Sequence, residues 1–169
     1  NNNNETTSLS GFDNSNNIYL VGTIKDTSTS NKDMTLLKIE QPNGVMSVAS
    51  SYTISNSSRL NENATTIIVD EESVPNIYIG GYSNVDSPSD IDTSLPVIYK
   101  LSQDILNSTF TIAHTYISRD FDNDNNRISD MVYDSRNGTI YAAVNVDVST
   151  DGITNWEWGL LKIRDVGGA

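Results

Sequence analysis

The chain contains no cysteine, which removes disulfides, thiolate metal sites and cysteine nucleophiles together and leaves the redox compartment open. It also lacks any apolar run approaching the roughly 18 residues of a membrane span, and no basic-then-apolar leader opens it. Insertion into a membrane is therefore not expected. Positive charge is scarce: 10 Lys and Arg stand against 22 Asp and Glu, a formal net charge of -12. The basic footprint that phosphate backbones require is missing, which sets nucleic acid aside as a partner. With one histidine, His114, paired-histidine metal sites are excluded, and there is no G-x-S-x-G elbow or phosphate-cradling glycine loop. No window shows the 3.6-residue apolar period of an amphipathic helix.

The polar residues present are mainly Asn, Ser, Thr and Asp, which favour turns and short strands over helices. The same bias, in place of Lys and Glu, suggests an extracellular or cell-surface setting. A chain of 169 residues fits one domain with a real core, taken as residues 1–169. It opens NNNNETTSLS without an initiator Met, as a processed product or an excised piece would. The N-x-Ser/Thr sequons at Asn4, Asn56, Asn63, Asn107 and Asn137 match what chance placement gives for 21 Asn and 38 Ser plus Thr, so they do not locate the protein.

Three kinds of segment recur in a fixed order roughly every 60 residues. NIYLVGT, NIYIGGY and TIYAAVN carry Tyr19, Tyr78 and Tyr141. TLLKI, VIYKL and GLLKI carry Lys38, Lys100 and Lys162. SVASSYT and TIAHTYI carry Tyr52 and Tyr116. Short apolar runs closing on Asp13, Asp70 and Asp134 precede each tyrosine segment. Every run is rich in Ile, Val, Tyr and Thr and bounded by turn residues, which reads as a strand. The fold expected is all-β: β-propeller-type blades of four antiparallel strands, at about 9–54, 64–117 and 127–164, with the third incomplete.

The order of apolar-Asp, turn, N-I-Y-x-x-G, x-x-K-[IL] and x-A-x-x-Y resembles the SBBP-type bacterial β-propeller repeat, from about Ser10 to Ile163. The resemblance implies a fold and carries no chemistry. A closed propeller needs about four to eight blades, so more chain or further copies are expected to complete the ring. The outer edge of the GLLKI strand is expected to be covered by an N-terminal strand of this chain, by a neighbouring copy, or by additional chain.

Alternating oxygen side chains in RDFDNDNNRISD suggest a cation loop, because Ca2+ prefers an all-oxygen shell. Its ligands would be Asp122, Asp124, Asn126, the Ile128 carbonyl and Asp130. The arrangement resembles the calcium loops of FG-GAP blades, departing from them at Arg127, where those loops carry glycine. STDGITNW, residues 149–156, resembles the Asp-box turn of sialidase-type propellers with its glycine one position early. Trp156 and Trp158, two apart on an extended segment, face the same side and offer a platform for a sugar ring. His114 is a third ligand candidate, on a strand where it shares parity with Phe110, Ile112 and Tyr116 and where the first unit has Ser50. No catalytic residue is assigned. The function expected is a non-enzymatic module binding protein or carbohydrate through its loops. Two other readings stand beside it: a structural subunit that assembles by strand exchange or by completing the open third blade, and part of a larger secreted propeller enzyme such as a glycosidase.

Overall fold

The structure, a computed structural model, describes residues 6–25, 31–54, 59–85, 94–104, 106, 108–118, 125–148 and 155–164. Its strands in chain order are β1 (Thr6–Phe12), β2 (Ile18–Lys25), β3 (Lys32–Glu40), β4 (Ser47–Ile54), β5 (Arg59–Val69), β6 (Ile77–Val85), β7 (Ser94–Asp104), β8 (Thr109–Ile117), β9 (Arg127–Asp134), β10 (Thr139–Asp147) and β11 (Trp156–Arg164). The only helical element among the described residues is a 3-10 turn at Pro42–Gly44. The protein is all-β, and its sheets do not close on themselves.

Strands adjacent in sequence pair antiparallel and form three meanders: β1 to β4, β5 to β8, and β9 to β11. The first two are linked by one parallel bridge, Lys32 opposite Asn61. The second begins at Arg59, ahead of the Ala64 boundary read from the sequence. Each meander centres on the same cross-strand pair, Tyr19 with Lys38, Tyr78 with Lys100 and Tyr141 with Lys162. The ammonium lies 5.7 Å from the ring centre at Tyr78 and 5.8 Å at Tyr141, within the range of a cation–π attraction.

Two bulges recur. Where the first strand of each meander meets the second, one residue is unpaired, at Ser8, Thr65 and Ser129. Two of these hydroxyls lie against a carbonyl of the neighbouring strand, Thr65 at 3.3 Å from that of Gly80 and Ser129, which donates, at 3.1 Å from that of Ala143. Between the third and fourth strands the unpaired residues are Ala49 and Ala113. A bulge reverses side-chain parity, and this corrects the reading of His114. It shares a face with its partner Lys100, whereas Ile112, across the bulge, shares the opposite face with Leu101.

The motif aspartates anchor the hairpin turns. Asp13 accepts the backbone N–H groups of Ser15 and Asn17, the Asn17 amide and the Tyr19 hydroxyl. Asp70 accepts the same kinds of group from Glu72 and Asn76, and Asp134 from Arg136 and Asn137. An acidic side chain at this position satisfies turn N–H groups that the hairpin leaves over.

The core lies between meanders. One cluster packs Tyr19, Val21, Met34 and Leu36 of the first against Ile77, Ile79, Val97 and Tyr99 of the second. The other packs Tyr78 and Ile98 of the second against Ile128, Met131, Ile140 and Ala142 of the third. Each fully buried side chain of this size contributes about 1.5–3 kcal/mol. Gly80 lets these side chains sit close, since a Cβ there would lie 2.7 Å from the Met131 sulfur and from the Thr66 methyl and would force them to shift. The third meander has three strands, and β11 pairs only with β10 among the described residues. Residues 6–12 pair with β2 inside the first meander and not with this edge, while residues 1–5 of the N-terminal segment expected there lie outside the described residues.

Candidate functional site

Antiparallel pairing brings the end of β2 to the start of β3, the end of β6 to the starts of β5 and β7, and the end of β10 to the starts of β9 and β11. Residues at these strand ends line an open hollow of about 330 Å³. Lys32 comes from β3, Asn61 and Asn63 from β5, Tyr82 and Asn84 from β6, Ser94 from β7, and Asn125 and Arg127 from the entry to β9. The site thus joins all three meanders. Among the described residues its lining holds two cations and four side-chain amides, one of which, Asn125, donates to the Asp147 carboxylate at 3.4 Å, in a protein whose formal net charge is -12.

The segment leading into β9 is held from both sides. The Asn126 backbone N–H donates to the Ser94 carbonyl at 2.8 Å, and its side-chain oxygen accepts the Asp147 N–H at 3.2 Å. Asn126 is fully buried there, joining the second meander to the third. Asn125 beside it has a φ of 71°, a left-handed conformation that Asn tolerates better than most residues. These bonds position Arg127. Its guanidinium lies 5.0 Å from the Tyr82 ring centre and 5.2 Å from that of Trp156. An arginine between two aromatic faces loses rotamer freedom before any ligand arrives, and its edge N–H groups remain suited to an acid group.

Of the residues singled out in the sequence, Asp122 and Asp124 lie outside the described residues, as does 149–154 of the Asp-box-like segment. The other three proposed calcium ligands are engaged with the protein. Asn126 bonds to Asp147, the Ile128 carbonyl accepts the Thr65 hydroxyl at 2.5 Å, and Asp130 accepts the Thr66 hydroxyl at 3.2 Å and the Met131 N–H at 2.8 Å. Among the described residues no three His, Cys, Asp or Glu side chains are grouped to hold a metal ion. Trp156 does not line the cavity but packs against Arg127, which does, and Trp158 follows it on the same face of β11. His114 lies elsewhere, on β8, with its ring 6.1 Å from that of Tyr116.

Sequence reasoning missed the lining of the cavity because asparagines at strand ends look like ordinary turn residues. Arg127 did leave a signal, as the residue that breaks the calcium-loop pattern. Comparison with protein-family models, with curated proteins and with solved structures finds no match to this chain.

Proposed function

We propose that the chain is a β-propeller-type binding module, its three meanders acting as blades, that takes a glycan bearing an acid group at the loop end. The cavity of the strand ends supports this reading above all other features, because two cations and four amides are gathered in an acidic protein. Amides suit sugar hydroxyls, Arg127 and Lys32 suit a carboxylate, and Trp156 gives a partly exposed aromatic edge beside Arg127. An extracellular or surface location fits such a ligand. Among the described lining residues none is placed as a nucleophile beside a base, and binding without turnover is the activity proposed.

The test uses the two tryptophans as reporters. Oligogalacturonate and a neutral galactan oligosaccharide of equal length are titrated while Trp fluorescence is followed. The acidic oligosaccharide is expected to change the emission and bind at least about tenfold tighter than the neutral one, a difference of about 1.4 kcal/mol. Arg127→Ala is expected to abolish that preference. Equal affinity for both sugars, or an Arg127→Ala protein that binds as the parent does, would rule the reading out.

A further inference from the structure

The three meanders share one register, so each residue of the third has a counterpart whose surroundings are known. In the first and second meanders, the face carrying Tyr19 or Tyr78 is covered by the next meander, and both tyrosines are fully buried. On the third meander the corresponding face carries Tyr141, with Val132 and Lys162 opposite it and Leu160 and Trp158 farther along β11. It is bare. Leu160 occupies the position of Leu36 and Ile98, which are 0% and 1% exposed, yet it is 61% exposed. Trp158 occupies that of Met34, 0% exposed, and is itself 82% exposed. Apolar side chains of this size in one patch mark a docking surface.

The first meander has the complementary deficit. Its opposite face carries Phe12, Ile18, Leu20 and Leu37. Ile77 and Ile79 of the second meander occupy the positions of Ile18 and Leu20 and are fully buried. Phe12 is 63% exposed, whereas Val69 at the same position in the second meander packs into the core. Ile18, Leu20 and Leu37 are half-buried and Phe12 is exposed, so these two faces correspond to the two kinds of surface that pack on each other twice within the chain.

We infer that the exposed face of the third meander is a head-to-tail interface for a second copy of this chain, which docks the Phe12 face of its own first meander there. Such an interface is heterologous, and two copies related by a rotation can close into a ring. The inference rests on the packing and is independent of what the cavity binds. A chain that assembles without binding sugar, or binds sugar without assembling, separates the two proposals.

The experiment is sedimentation velocity from about 1 to 100 µM at roughly 0.3 M salt, where repulsion between acidic copies is screened. The 18.5 kDa chain is expected to move to a species of about 37 kDa. Leu160→Asp and Phe12→Asp each place a charge on one of the two faces, at exposed positions, and circular dichroism serves as the fold control. Each is expected to weaken association at least about tenfold, and an equimolar mixture of the two to recover it, since the mixture retains one intact pair of faces. A parent chain that stays monomeric throughout would overturn the inference. So would variants that associate as the parent does, which is the result expected if copies pair through the open edge of β11, and so would a mixture no better than either variant alone.

Discussion

A carboxylate beside a hairpin turn stabilises it when the turn exposes more N–H groups than its own carbonyls can accept, and Asp13 meets that condition. Burial on its own would raise its pKa. Donation from the Asn17 amide and backbone, the Tyr19 hydroxyl and the Ser15 backbone outweighs burial and holds the carboxyl below its ordinary value. Tyr19 responds in the opposite sense. Burial, the bond to Asp13 and the charges of Asp13 and Glu40 push its hydroxyl well above the usual tyrosine range, so it remains a donor at any ordinary pH. Because the folded-state value of Asp13 is depressed, its stabilisation is present above the unfolded value near 3.8 and is lost as pH falls through the folded one. Asp13→Ala is therefore expected to cost about 0.5–2 kcal/mol at pH 7, by analogy with the loss of a side-chain cap at a helix N-terminus. In urea melts the gap from the parent should narrow below pH 4; a gap independent of pH would show that the charge is not what matters. The apolar-Asp motif was legible in the sequence as a strand end. Its partner was not, because the capping Asn lies at a different distance each time, Asn17, Asn76 and Asn137 after Asp13, Asp70 and Asp134.

At the scale of the strand, the period-two pattern located nearly every element, since half-buried strands impose it directly. The pattern fails at the bulges, where one residue leaves the ladder and the faces exchange. This is why the parity argument for His114 miscarried: the slip at Ala113 lies between it and Ile112. The Ala of the x-A-x-x-Y motif marks that slip, visible in the sequence as a small residue but without a signal that it leaves the ladder. Thr65 marks the other kind. Its single hydroxyl proton is directed chiefly at the Ile128 carbonyl of the next meander, 2.5 Å away, with the Gly80 carbonyl of its own meander a more distant second acceptor at 3.3 Å. The bulge therefore aims a donor across the boundary between meanders. Thr65→Val keeps the shape and removes the donor, and it is expected to destabilise by about 1–2 kcal/mol, as for a part-buried acceptor left without its partner. Ser129→Ala, whose exposed hydroxyl bonds only within its own meander, should cost less than half as much. Equal effects in chemical denaturation would show that the contact with Ile128 contributes nothing.

At the scale of the molecule, recurrence of the tyrosine and lysine segments made the order of the meanders legible. It did not show which side chains would be left uncovered, because that depends on what stacks against what. Leu160 and Leu36 look alike in sequence and differ only in their neighbours. Charge is a property of this same scale. A formal net charge of -12 at pH 7 sets most ionised groups against one another, and the compact state suffers more from that repulsion than the unfolded chain. Two opposed effects follow as pH falls. Protonation of surface carboxylates first relieves repulsion and raises stability. Below about pH 4 the depressed carboxyls of Asp13 and Asp134 are forced to take up protons in the folded state, their stabilisation is lost, and stability falls. The melting temperature is therefore expected to peak between about pH 4.5 and 6, and at pH 7 to rise by several degrees between about 0.02 and 0.5 M NaCl as screening replaces protonation. Repeating the salt series with Leu160→Asp, which holds the chain apart from its copies, separates repulsion within one chain from repulsion between two. A melting temperature that climbs steadily from pH 5 to 8, or that ignores salt in that variant, would mean that local pairing and not net charge governs the fold.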